Sequence, residues 1–366
     1  MRWDIFCQIV DNFGDAGVCW RLARSLSQMS VHGDDIRIRL FCDDLHVLDQ
    51  IAHGDATRYG ASLGIEVLPW QHTPQNEEAF QKTTTVGDVV IEAFACTIPP
   101  AYVDAMLASP KKPLWINLEY LTAEAWADDM HLLPSPQNNG LKKYFYFPGF
   151  TAKTGGVTLG DWDQVTSRTE IPESLRSSWA LCRPDAKRIS IFNYPHAPLE
   201  PWLLSLDQAA HACDDTVDVL ICANQNISSH FFNHPFKRLR LIQLPFMPQE
   251  DYDWLLAHCN LNLVRGEDSF VRAQWAGQPF IWDIYPQEDL AHEIKLEAFL
   301  ERYFEDASSE LSTIAISAMK WASPETWWPE IRAWQTHSKG WSEKLRALGS
   351  LEGKILDFVK SQEISR

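Results

Sequence analysis

Near the N-terminus the hydrophobic pattern changes period once. Ile5-Phe6-Cys7-Gln8-Ile9-Val10 is a short β-branched run, as a buried strand requires. Val18, Leu22, Leu26 and Met29 then recur at helical spacing. Between them lies Asp11-Asn12-Phe13-Gly14-Asp15-Ala16-Gly17, which is turn chemistry and predicts a helix starting near Gly17. A strand, a glycine-bearing turn and a helix make the first half of a βα unit. Apolar runs at 36–42, 65–68, 88–94 and 114–117, with a helix over 100–108, extend the alternation. Together they predict a doubly wound parallel sheet.

From 128 to 160 the pattern breaks. Pro134, Pro136, Asn138, Asn139, Gly140, Pro148, Gly149, Gly155 and Gly156 predict a long irregular segment carrying Tyr144-Phe145-Tyr146-Phe147. A second α/β set follows, with strands at 188–193, 217–222, 239–244, 261–264 and 279–282. Helices are expected around 202–210, over 249–259 and 269–276, and through most of 288–360. The reading is an α/β protein of the GT-B class: two Rossmann-like doubly wound domains facing a central cleft. Residues 1–168 form the first, with the C-terminal helix 345–366 expected to join it; residues 169–344 form the second.

Composition narrows the partners. Asp and Glu number 49 against 32 Lys and Arg, a net charge of -17, and this argues against a nucleic-acid footprint. No apolar run is long enough to span a membrane, and Met1-Arg2-Trp3-Asp4 carries no signal-peptide pattern. Eight cysteines sit in apolar segments without any Cys-x-x-Cys pair, which reads as buried free thiols in the cytoplasm.

Two turns at strand ends carry candidate chemistry, because ligands of open α/β sheets bind outside the carboxyl ends of the strands. In the first, Asp15 can cap the helix and Asp11 make an Asx turn, or one of them can serve as a general base. The spacing leaves both open. In the second, Arg265-Gly266-Glu267-Asp268-Ser269-Phe270 joins a strand to a helix. Gly266 allows close backbone approach, Asp268 or Ser269 can cap the helix, and a diphosphate suits the helix N-terminus beside Arg265. Glu267 would bind a hydroxyl. Phe246, Phe192 and Tyr194 flank strand ends, where they could stack a base or simply fill a core.

Other patterns fail. Asp161-Trp162-Asp163 and Asp251-Tyr252-Asp253 are Asp-x-Asp triplets in poor context for a hard cation, so no metal is expected. His230-Phe231-Phe232-Asn233-His234 lacks a metalloprotease glutamate, and Lys153-Thr154-Gly155-Gly156 reverses the phosphate-loop order.

The segment Asp11-Asn12-Phe13-Gly14-Asp15-Ala16-Gly17-Val18-Cys19-Trp20-Arg21-Leu22-Ala23-Arg24 resembles the N-terminal signature of the bacterial protein-arginine rhamnosyltransferases that modify elongation factor P, the EarP family. Asn117-Leu118-Glu119-Tyr120-Leu121, the stretch from Val264 to Gly277, and Ile284-Tyr285-Pro286-Gln287 resemble it too. The resemblance covers nearly the whole chain. It implies an inverting glycosyltransferase that moves rhamnose from dTDP-β-L-rhamnose to one arginine of elongation factor P, with no metal cofactor. On it, Asp11 and Asp15 match catalytic aspartates, Asp15 being the favoured base, and Glu267 matches an essential glutamate. Phe192, Tyr194, Gln243, Phe246, Arg265, Gly266, Asp268 and Ser269 fall in the nucleotide-sugar pocket, together with Asn12, Phe13 and Gly14 of the first turn. Two other functions remain compatible with the residues: a GT-B transferase or epimerase acting on a small-molecule or lipid substrate, and a non-catalytic partner of a translation factor.

Overall fold

The computed structural model describes residues 1–10, 13–31, 33–70, 85–223, 225, 227–286 and 291–364. The chain forms two compact units: Met1–Asp161 with Leu345–Arg366, and Trp162–Lys344. Among the described residues no helix is long and apolar enough to cross a membrane.

The strands of the first unit are β1 (Arg2–Cys7), β2 (Ser30–Val31), β3 (Asp34–Asp35), β4 (Arg37–Cys42), β5 (Ile65–Pro69), β6 (Val89–Ala93), β7 (Leu114–Leu118), β8 (Pro134–Pro136) and β9 (Lys142–Tyr146). Strands β2 and β3 form a separate hairpin. The other seven make one sheet in the order β5-β4-β1-β6-β7-β9-β8, parallel except for β8. Side chains alternate between the two faces with a period of two, and both faces of the central strands are buried, so those strands are largely apolar. Trp3, Ile5 and Cys7 of β1 enter one core with Ile38, Leu40, Ile91 and Ile116. Phe6, Phe41, Val90 and Trp115 enter the core on the other face.

The second unit holds β10 (Lys187–Ile191), β11 (Val217–Ile221), β12 (Leu239–Gln243), β13 (Leu261–Arg265) and β14 (Phe280–Asp283). They form an all-parallel sheet in the order β12-β11-β10-β13-β14. The tail is helical over Ala291–Tyr303, Ser309–Met319, Ile331–Leu348 and Leu351–Ile364.

Four expectations need correction. The first strand stops at Cys7, short of Val10. Beyond it the backbone donors leave the ladder for carboxylates: Ile9 N–H donates to Asp43 Oδ1 at 2.9 Å and Val10 N–H to Asp15 Oδ2 at 2.8 Å. The following helix starts at Phe13, not near Gly17, so Gly14 and Gly17 are helical residues. Asp15, third in the helix, reaches back beyond the helix to Val10 N–H.

The segment 128–160 is less irregular than its prolines suggest. Tyr144, Phe145 and Tyr146 have strong strand preference and form β9, while Pro134 and Pro136 sit on edge strand β8, where a missing N–H is tolerated. Gly140 turns the hairpin between them at φ +88°.

The units divide after Asp161 rather than at 168. Helix Trp162–Thr166 packs into the second unit, where Arg272 lies 4.8 Å from the Trp162 ring and Trp254 Nε1 donates to Arg168 O. The C-terminal helix Leu351–Ile364 packs into the first. Leu351, Ile355 and Val359 enter its core, and Glu352 accepts from Ser25 Oγ at 3.1 Å and from Gly160 N–H at 2.6 Å.

Candidate functional site

At the carboxyl edge of the seven-stranded sheet the chain collects acids. Asp15 is 2% exposed and sits in the first turn of helix Phe13–Ser27, where unpaired N–H groups stabilise negative charge. Phe13 is half-buried and packs on the core beside it. Asp11 and Asn12 lie outside the described residues, as does Gln287.

Three more carboxyl groups share this edge. Asp43 follows β4 and holds Ile9 N–H; burial raises its carboxyl above the usual range. Glu92, in β6, accepts from Lys143 Nζ at 2.9 Å; burial pushes it up, and the lysine pulls it back only in part. Glu119 follows β7 and accepts from Asn117 Nδ2 at 2.6 Å; burial raises it as well. Glu119 falls in a motif already singled out. Asp43 and Glu92 were not candidates, and the signal that finds them is an acid in or just after the last turns of an otherwise apolar strand.

In the second unit the corresponding edge is built around a cation. Gly266 adopts φ +62°, a left-handed conformation that turns β13 into helix Asp268–Trp275. Its carbonyl accepts from Trp282 Nε1 at 3.0 Å. The N-cap position is Glu267, whose side chain makes no capping bond. Ser269 Oγ accepts from Arg265 N–H at 3.2 Å and donates to Arg265 O, so the serine closes the turn. Asp268 Oδ2 accepts from Gln249 Nε2 at 3.0 Å.

The Arg265 guanidinium lies 4.3 Å from the Phe192 ring centroid and 4.9 Å from that of Tyr194, and Nη1 donates to Asn193 O at 3.0 Å. Arg265, Phe192, Tyr194 and Ser269 are thus one cluster. Phe246 follows β12 and is 42% exposed. Gln243 is exposed at the end of β12, and its amide nitrogen donates to the carbonyls of Ile221, Cys222 and Leu244, tying strand ends together. Gln249, which sequence reasoning passed over, bridges instead to Asp268 and is buried there. Its signal was its place directly after Phe246-Met247-Pro248.

Three acids of the Asp-x-Asp triplets serve the fold. Asp161 pairs with Arg24, Asp251 accepts from Ser174 Oγ at 2.5 Å, and Asp253 pairs with the buried Arg272 at 3.0 Å. Of the cysteines, Cys213 is exposed at a helix end and Cys182 is half-buried, whereas the other six are buried.

A model of the family described as elongation-factor P (EF-P) rhamnosyltransferase EarP matches residues 3–360. The chain belongs to that family. It is 39% identical to a protein-arginine rhamnosyltransferase of Pseudomonas putida over 386 aligned positions, covering 98% of each chain. It is similar to the solved structure described as the structural basis for EarP-mediated arginine glycosylation of translation elongation factor EF-P. There the TM-score is 0.63 at 28% identity, with 98% of this chain and 99% of that one covered. The calicheamicin glycosyltransferase CalG4 matches at TM-score 0.51 and 14% identity, over 99% of this chain and 98% of that one, a likeness of fold alone. The fold of this family member is GT-B.

Proposed function

We propose that this protein transfers L-rhamnose from dTDP-β-L-rhamnose to an arginine side chain of elongation factor P, with inversion, in the cytoplasm. Family membership supports the reaction class. The observation that carries the donor side is the turn at Gly266: a helix N-terminus beside a held guanidinium suits a leaving diphosphate. Glu267 would take a sugar or ribose hydroxyl, and the exposed Phe246 ring would face the base.

On the acceptor side the guanidinium is a poor nucleophile that stays protonated in solution, with pKa above about 12. Asp15, with Asp11 supporting it, would hold the planar fork and accept one proton. In the step, a guanidinium nitrogen bonds to the anomeric carbon, the carbon–oxygen bond to the diphosphate breaks, and dTDP departs with that electron pair. Three of the four triplet acids, Asp161, Asp251 and Asp253, are engaged in the fold, which supports catalysis without a divalent metal.

The deciding experiment is intact mass of elongation factor P after incubation with the protein and dTDP-β-L-rhamnose. Addition of a single deoxyhexose is expected, and an unchanged mass with active donor would sink the proposal. Excess chelator should leave the rate unaltered; a rate that collapses and returns with magnesium or manganese would overturn the metal-free reading.

A further inference from the structure

The rings of Phe192 and Tyr194 have an occupant that their sequence context did not suggest. Both lie against the Arg265 guanidinium, whose Nη1 also bonds Asn193 O between them. The segment is held from its other sides. Asn193 N–H donates to Gln225 Oε1 at 2.7 Å and Tyr194 N–H to Asp283 Oδ2 at 2.7 Å. Each ring has its own support: Phe192 meets Tyr252 edge-on at 5.7 Å, and Tyr194 meets Tyr285 edge-on at 5.3 Å.

A guanidinium on a long flexible stem is a poor anion ligand unless something fixes it, because ordering it on binding costs affinity. Here that ordering is complete before any ligand arrives. Cation–π contact with two rings and one carbonyl bond leave the rest of the fork's five N–H donors for an anion. The ring surfaces facing Arg265 are taken, so a base could stack there only by displacing it.

We propose that Phe192 and Tyr194 are positioning residues that hold Arg265 for the donor's diphosphate, and are not a platform for the base. The inference rests on the donor-site reading above.

Calorimetric binding of dTDP and of thymidine tests it. Phe192→Leu and Tyr194→Leu should each weaken dTDP by about 3- to 10-fold, the range of one lost cation–π contact. Thymidine should change by less than about twofold. Phe192→Leu added to Arg265→Ala should weaken dTDP no further than Arg265→Ala alone, since the ring then has nothing to hold. Circular dichroism and melting temperature of each leucine variant should stay close to wild type, which shows that the loss is not misfolding. Additive losses in the double variant, or a ring variant that weakens thymidine as much as dTDP, overturn the proposal while leaving the donor site in place. Failure of the wild-type protein to bind dTDP removes the donor site and the proposal together.

Discussion

The two units use the same local device, a parallel strand turning into a helix, with opposite chemistry. After β1 the first-turn acid of the helix, Asp15, folds back onto Val10 N–H. After β13 the N-cap side chain of Glu267 makes no capping bond, and the turn that leads into the helix carries a held arginine. Both first turns carry an acid, Asp15 and Asp268, so the difference lies in what stands beside them: Asp43, Glu92 and Glu119 at the first edge, the held Arg265 guanidinium at the second. The acid-lined edge therefore fits a guanidinium acceptor, and the cation-bearing edge a nucleotide diphosphate.

Breaking the acid side should have the largest effect. Asp15→Asn keeps an oxygen acceptor for Val10 N–H and nearly the same shape, yet cannot accept the acceptor's proton. Transfer followed by intact mass should fall by about 10²- to 10⁴-fold, with dTDP affinity and circular dichroism unchanged. Near wild-type transfer would move the base elsewhere on the same edge, to Glu119 first.

The cation side breaks more gently. Gly266→Ala forces a side chain into the left-handed region at φ +62°, at a cost of about 1–2 kcal/mol. The turn relaxes to relieve it, and the Gly266 carbonyl bond to Trp282 is strained with it. We expect dTDP binding weaker by about tenfold, a lower melting temperature, and partial recovery in Gly266→Asn, which tolerates that conformation. Equal dTDP affinity in Gly266→Ala would mean that the turn geometry does not shape the donor site.

Sequence pattern disclosed the architecture wherever burial on both faces made a strand predominantly apolar, with a single buried polar residue such as Glu92, Asn117, Asp218 or Asn262 inside it. β6, β7, β11 and β13 each fall within a residue or two of expectation for that reason. It failed where polar groups replace the ladder. The end of β1 is set by Asp43 and Asp15 capturing Ile9 and Val10, which no local pattern records. β9 was hidden by prolines that belong to its edge neighbour. In the site, the motif around Gly266 was legible because Arg265, Glu267, Asp268 and Ser269 crowd together with a glycine at the end of a largely apolar strand. The partners of each side chain were not. That Arg265 lies on Phe192 and Tyr194 depends on β10 pairing with β13, a contact between residues far apart in the chain.

The smallest effect concerns the acid edge alone and reads in stability rather than rate. Glu119 has its carboxyl raised by burial, against the opposing bond from Asn117 Nδ2. A carboxyl raised in the folded state binds protons more tightly there than in the unfolded chain. Its contribution to stability is therefore fully present below the unfolded value, about pH 4.3, and is lost as pH rises through the folded one. Glu119→Gln keeps an oxygen for Asn117 and removes the charge. At neutral pH the variant should melt slightly above wild type, and the gap should close as pH falls below about 4.3. Asp15→Asn supplies the control for a charge on the same edge that also lies in the first turn of a helix. A Glu119→Gln variant that is less stable at neutral pH would show that its carboxylate is held by partners strong enough to outweigh burial, and that the acid edge is organised for ionised groups throughout.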